Sequence, residues 1–213
     1  MPAGFQCSLM EFKGKRAINL IENYLSDVVG SFRSYKRLAE RALEQINDEE
    51  FFAQIDEESN SIAIIVKHIA GNQRSRWRDF LTSDGEKPDR DRDTEFELIG
   101  DTRASLMDHW ELGWQTLFHA LEILSPEDLE RTVMIRGEPH TVVEAINRQL
   151  THYSYHIGQI VFLAKHLKAS EWKSLSVPRN SSAAFNRFIA ERAGTGGERK
   201  RQMDSAMEFG EST

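Results

Sequence analysis

Two histidines four residues apart, His152 and His156, stand in the run His152-Tyr153-Ser154-Tyr155-His156-Ile157-Gly158-Gln159-Ile160. On a helix that spacing puts both imidazoles on one face, one turn apart, close enough to converge on a single metal ion. The same pair on the border of an apolar stripe can equally be two hydrogen-bonded residues at a core edge, and the spacing alone leaves both readings open. A third histidine, His68, flanks another apolar stripe far upstream. His109, His119, His140 and His166 have no partner at ligand spacing, and His109 is the one to test as a missed ligand.

The elements that must position these residues are helical. Around the pair, apolar residues recur at Val142, Ala145, Ile146, Leu150, Tyr153, Ile157, Ile160, Ala164 and Leu167, in the threes and fours of an amphipathic helix. Thr141 followed by Glu144 is a capping box and marks the start of that helix. A first long helix follows from Ile18, Ile21, Leu25, Val28, Phe32, Tyr35, Ala39, Ala42 and Ile46. A second, from Asn60 or Ser61 to about Leu81, carries His68. A third spans about Glu97 to Leu124. Between the third and fourth helices, Thr132 to Ile135 alternates and Arg136-Gly137-Glu138-Pro139 turns it back, which predicts a small hairpin. The segment Thr82 to Glu97, with its Asp-Arg-Asp-Arg-Asp run, reads as a mobile surface loop and a candidate lid.

The expected fold class is therefore all-α: a four-helix bundle with a β-hairpin between helices 3 and 4 and a short C-terminal helix from about Ser182 to Arg192. Residues 1–17 read as an irregular lead-in, 18–193 as a single domain, and 194–213 as a disordered tail. A net charge of -7 argues against nucleic acid as a partner. No apolar run approaches the roughly 18 residues needed to span a membrane, and Met1 to Lys15 has no apolar core of a secretory signal. Cys7, the only cysteine, excludes an internal disulfide and a cysteine-based zinc site. A cytoplasmic protein is expected.

Taken together, Val66-Lys67-His68-Ile69-Ala70-Gly71-Asn72, the His152 to Ile160 segment, and the ending Leu175-Ser176-Val177-Pro178-Arg179 with Phe185-Asn186 resemble the DinB/YfiT-like superfamily of metal-dependent enzymes, in an uncharacterised branch. The likeness covers roughly residues 18–190. It implies a DinB-like bundle in which His68, His152 and His156 ligate one divalent transition metal (Zn, Ni, Co, Fe or Mn). It also implies a small-molecule substrate, a low-molecular-weight thiol as cofactor for S-transfer or a hydrolytic reaction, and a homodimer. Asn72 and Gln149, on the histidine-bearing faces, are candidates to hydrogen-bond the ligands or a bound water. Gly71 and Gly158 suit close helix packing. The competing reading is a non-enzymatic, stress-related or partner-binding bundle whose histidines are structural.

Overall fold

In a computed structural model the chain is described over residues 3–195 and 200–212, with side chains from residue 20 onward; Met1, Pro2, residues 196–199 and Thr213 lie outside the described residues. The protein is mostly helical, in the order α1 (Ala3–Leu43), α2 (Asp48–Phe52), α3 (Ile62–Trp77), α4 (Arg103–Glu122), β1 (Thr132–Ile135), β2 (Glu138–Thr141), α5 (Val142–Lys168), α6 (Ser182–Gly194) and α7 (Gln202–Glu211). Among the described residues no helix is long and apolar enough to cross a membrane. The residues group into two compact units, Met1–Arg33 with Val66–Tyr153, and Ser34–Ile65 with Ser154–Thr213.

In the first unit the core is aromatic. Phe32 of α1 is fully buried. Its ring lies 6.0 Å from that of Trp77 on α3, 6.4 Å from Trp114 on α4 and 6.0 Å from Tyr153 on α5. Trp110 and Trp114 of α4 are both buried. That helix begins at Arg103 rather than near Glu97, because Thr102 and Ser105 cap each other's backbone there; Ile99 is left exposed. The α5 start agrees with its capping box: Glu144 accepts from the Thr141 N–H at 2.7 Å, and Thr141 Oγ1 accepts from the Glu144 N–H at 3.2 Å.

The hairpin pairs Thr132 with Thr141 and Ile135 with Glu138. Its two turn residues, Arg136 (φ 57°) and Gly137 (φ 75°), both lie in the left-handed region, as a two-residue type I′ turn demands.

The Thr82 to Glu97 segment is not the unpacked loop its composition predicts. Asp84 accepts from the N–H groups of Arg136 (2.8 Å) and Gly137 (2.7 Å), and Gly85 N–H donates to Met134 O at 2.7 Å. Glu86 takes Arg76 at 2.7 Å, Arg90 at 3.2 Å and Arg136 at 3.3 Å. Of the Asp89 to Asp93 run Arg90 turns inward, to Glu86 and Glu95, while the other four stay exposed; Lys87 and Glu95 on either side are buried.

Burial alone would raise the Glu86 carboxyl; the bonds from Arg76 and Arg136 and the nearby Arg90 charge outweigh it and hold the group at about 2, against an ordinary 4.5. A carboxyl depressed in the folded state stabilises above its unfolded value, and that contribution fades as pH falls toward the folded one. The urea midpoint of the wild type is therefore expected to drop toward that of Glu86→Gln between pH 4.5 and about 2. Parallel curves across that window would contradict the network.

The second unit corrects the other end of the chain. Residues 202–211 form α7, with Met207 and Phe209 buried, in place of a disordered tail. Phe209 packs 5.4 Å from Phe185 and 5.6 Å from Phe188 on α6. Asp204 accepts from Ser34 Oγ (2.7 Å) and Arg37 (2.6 Å) on α1. Gly210 sits where a Cβ would come within 2.7 Å of Ser176 O, so the helix approaches that backbone closely. The polar composition concealed the two large apolar side chains that become buried, Met207 and Phe209. At the other terminus α1 begins at Ala3, not after an irregular lead-in, and Cys7 lies within it. Extending a nucleated helix needs only helix-forming residues such as Leu9, Met10, Glu11 and Lys13, without an apolar stripe.

Candidate metal centre

Helix α3 positions His68, and α5 positions His152 and His156 one turn apart on a single continuous helix. His68 Nε2 lies 3.3 Å from His152 Nε2. One ring nitrogen from each of the three histidines lies within 4.8 Å of the others, a grouping able to hold a metal ion. His68 is buried and the other two are half-buried.

The remaining nitrogens point elsewhere. Glu95 Oε2 accepts from His68 Nδ1 at 2.8 Å, and Arg90 donates to Glu95 Oε1 from Nε (2.8 Å) and to Oε2 from Nη2 (2.9 Å). Burial would raise the Glu95 carboxyl, but the bonds from His68 and Arg90 hold it below the ordinary range. An ionised carboxylate can only accept, so His68 carries a proton on Nδ1, and in the neutral ring the lone pair is on Nε2. On the next turn of α5, Gln159 Nε2 donates to Tyr155 Oη at 3.1 Å, which aims Oε1 at His156 Nδ1, 2.8 Å away. With that oxygen as the acceptor, a neutral His156 carries its proton on Nδ1, as His68 does.

Glu95 escaped the sequence reading. It lies 27 residues from His68 inside a run of like-looking charges, and no spacing rule links the two. Gln159 escaped it too, although its place three residues after His156 puts it on the same face. Neither polar candidate hydrogen-bonds to the three histidines among the described residues. Asn72 Oδ1 accepts from Tyr153 Oη at 3.0 Å, and Tyr153 accepts from Trp77 Nε1 at 3.1 Å. Asn72 therefore ties α3 to α5 through a core tyrosine, whose phenol burial pushes up. Gln149 is buried beside Trp77, Phe80 and Val133, and neither of its amide atoms has a hydrogen-bond partner among the described residues. His109 is exposed and outside the cluster. Gly71 does permit a close approach, of Glu95 rather than of a helix, whereas Gly158 faces open space.

Among comparisons with known proteins, a family model described as a protein of unknown function (DUF1572) matches residues 19–181. No curated protein and no solved structure matches the chain.

Proposed function

The chain belongs to the DUF1572 family of proteins of unknown function, which brings no activity with it, and we propose from the site itself that it is a metal-dependent enzyme in which His68, His152 and His156 hold one divalent transition metal. The observation that carries this reading is the 3.3 Å between the Nε2 atoms of His68 and His152, with the outer nitrogens of His68 and His156 each committed to an oxygen acceptor. Nitrogens bound at about 2.05 Å around a tetrahedral ion are roughly 3.3 Å apart. Ligating imidazoles characteristically give their other N–H to a carboxylate or carbonyl.

The donor set fits the group. Three neutral imidazoles suit Zn, Ni, Co, Fe or Mn and leave coordination positions for a reactant. When bound, such an ion supplies Lewis-acid activation, lowering the pKa of a thiol or water it holds. The chain's own residues orient the site. Glu95 keeps the His68 proton on Nδ1, Arg90 holds Glu95 in place, and Gln159 does for His156 what Glu95 does for His68. With the DinB-like resemblance, the reading extends to a cytoplasmic homodimer that acts on a small molecule, either by S-transfer from a low-molecular-weight thiol or by hydrolysis.

The reading is tested by loading the full chain with zinc and following consumption of a low-molecular-weight thiol presented with an electrophile, or hydrolysis of an activated ester. Turnover that disappears in His152→Ala and under a chelator supports it. A rate equal to that of the His152→Ala variant contradicts it and leaves the histidines structural.

A second test bears on Glu95. A Cβ at position 71 would come within 2.8 Å of Glu95 Cδ and 3.2 Å of its Cγ. Gly71→Ala therefore pushes the carboxylate away from His68. Loss of such an outer partner lowers metal affinity roughly 10- to 100-fold. Competition with a chromophoric chelator measures it, and an unchanged affinity would show that Glu95 does not orient the ring.

A further inference from the structure

A cavity of about 230 Å³ opens in the first unit between α3, the loop after it and α4. Its lining is basic in an acidic protein: Lys67, Arg74, Arg78, Lys87 and Arg90 against Asp89, Asp91 and Glu95. Most of these charges already have partners. Arg90 pairs with Glu95, Arg78 pairs with Asp89 through both of its terminal nitrogens, and Lys67 pairs with Asp101 at 2.9 Å. Asp91 Oδ1 accepts from the Asp93 (3.1 Å) and Thr94 (3.4 Å) N–H groups.

Two cations have no carboxylate to themselves. Arg74 reaches Asp89 only at 4.0 Å, where Arg78 already holds that carboxylate. Lys87 is 6% exposed, donates to the Asp84 carbonyl, and has no carboxylate within ion-pair distance among the described residues. The Asp79 and Asp84 carboxylates attract the ammonium only from beyond ion-pair distance, and a buried ammonium with no carboxylate in direct contact is costly. Burial, with the Arg78 guanidinium nearby, holds it below the ordinary lysine range. A compact anion in the cavity would supply the missing charge to both cations.

We propose that this cavity binds a small anionic ligand, a phosphoryl or carboxylate group, through Lys87 and Arg74. The proposal does not rest on the metal reading, although Glu95 forms part of the cavity wall and also holds His68. The volume admits one such group with a few attached atoms.

Isothermal titration calorimetry of the full chain, with inorganic phosphate and separately with succinate, tests it. Saturable binding of at least one probe at a single site is expected. Arg74 is exposed, so Arg74→Gln leaves the fold intact; it should weaken binding roughly tenfold or more, the usual effect of losing a charge-assisted hydrogen bond. Lys87→Met should weaken it further, and His152→Ala should leave it unchanged. Phosphate bound in preference to succinate identifies a phosphoryl ligand, and the reverse a carboxylate. No saturable binding of either probe, or affinity unaltered in Arg74→Gln, overturns the proposal.

Discussion

Replacing His152 with alanine is expected to abolish stoichiometric binding of a divalent transition metal while leaving the protein folded. His152 is the ring closest to His68, at 3.3 Å between Nε2 atoms, and it is carried on the turn below His156. Removing it leaves one imidazole on each of two helices, too few to hold an ion tightly against water. The side chain is half-buried at the edge of α5, and the α5 core contacts belong to Tyr153, Ile157 and Ile160, so truncation does little to packing. Elemental analysis of the variant after zinc loading and gel filtration measures this. Full metal content in His152→Ala, with a native circular dichroism spectrum, would remove the residue from the site.

The largest expected effect on stability is at Phe32. Its ring is fully buried among Trp77, Trp114 and Tyr153, at centroid distances of 6.0 to 6.4 Å that favour tilted and edge-to-face contacts. Phe32→Ala deletes the residue through which α1 meets three other helices in the first unit. The surrounding rings are large and rigid, so the space left cannot collapse. A loss of about 3–5 kcal/mol is expected from urea or thermal unfolding. Phe32→Leu, which keeps much of the volume, should cost clearly less. A loss below about 1 kcal/mol for the alanine variant would mean that this aromatic cluster does not organise the unit.

Local signals in the sequence proved dependable where one short stretch carries its own physical constraint. The Thr141–Glu144 box, the Arg136-Gly137 turn and the stripe of α5 need no distant partner to be recognised, and each is found where expected. The grouping of His68 with His152 and His156 was legible from two stripes and a resemblance. What escaped depends on the path of the chain. Glu95 reaches His68 only because the loop after α3 folds back on Arg76, Arg90 and the hairpin, and a run of Asp and Arg residues does not say which charges will pair. Asn72 sits on the expected face, yet Tyr153 takes its side chain. Helix α7 was hidden by composition, since few buried residues, Ser205, Met207 and Phe209, suffice to dock it.

The central claim is that three imidazoles from α3 and α5 form one metal site. X-ray absorption spectroscopy on the zinc-loaded full chain tests it most directly, because the extended fine structure counts histidine ligands. The account predicts one ion per chain with nitrogen ligands at about 2.0–2.1 Å and the outer-ring scattering of three imidazoles. A spectrum dominated by oxygen with one imidazole or none, or a chain that retains no zinc, would contradict it.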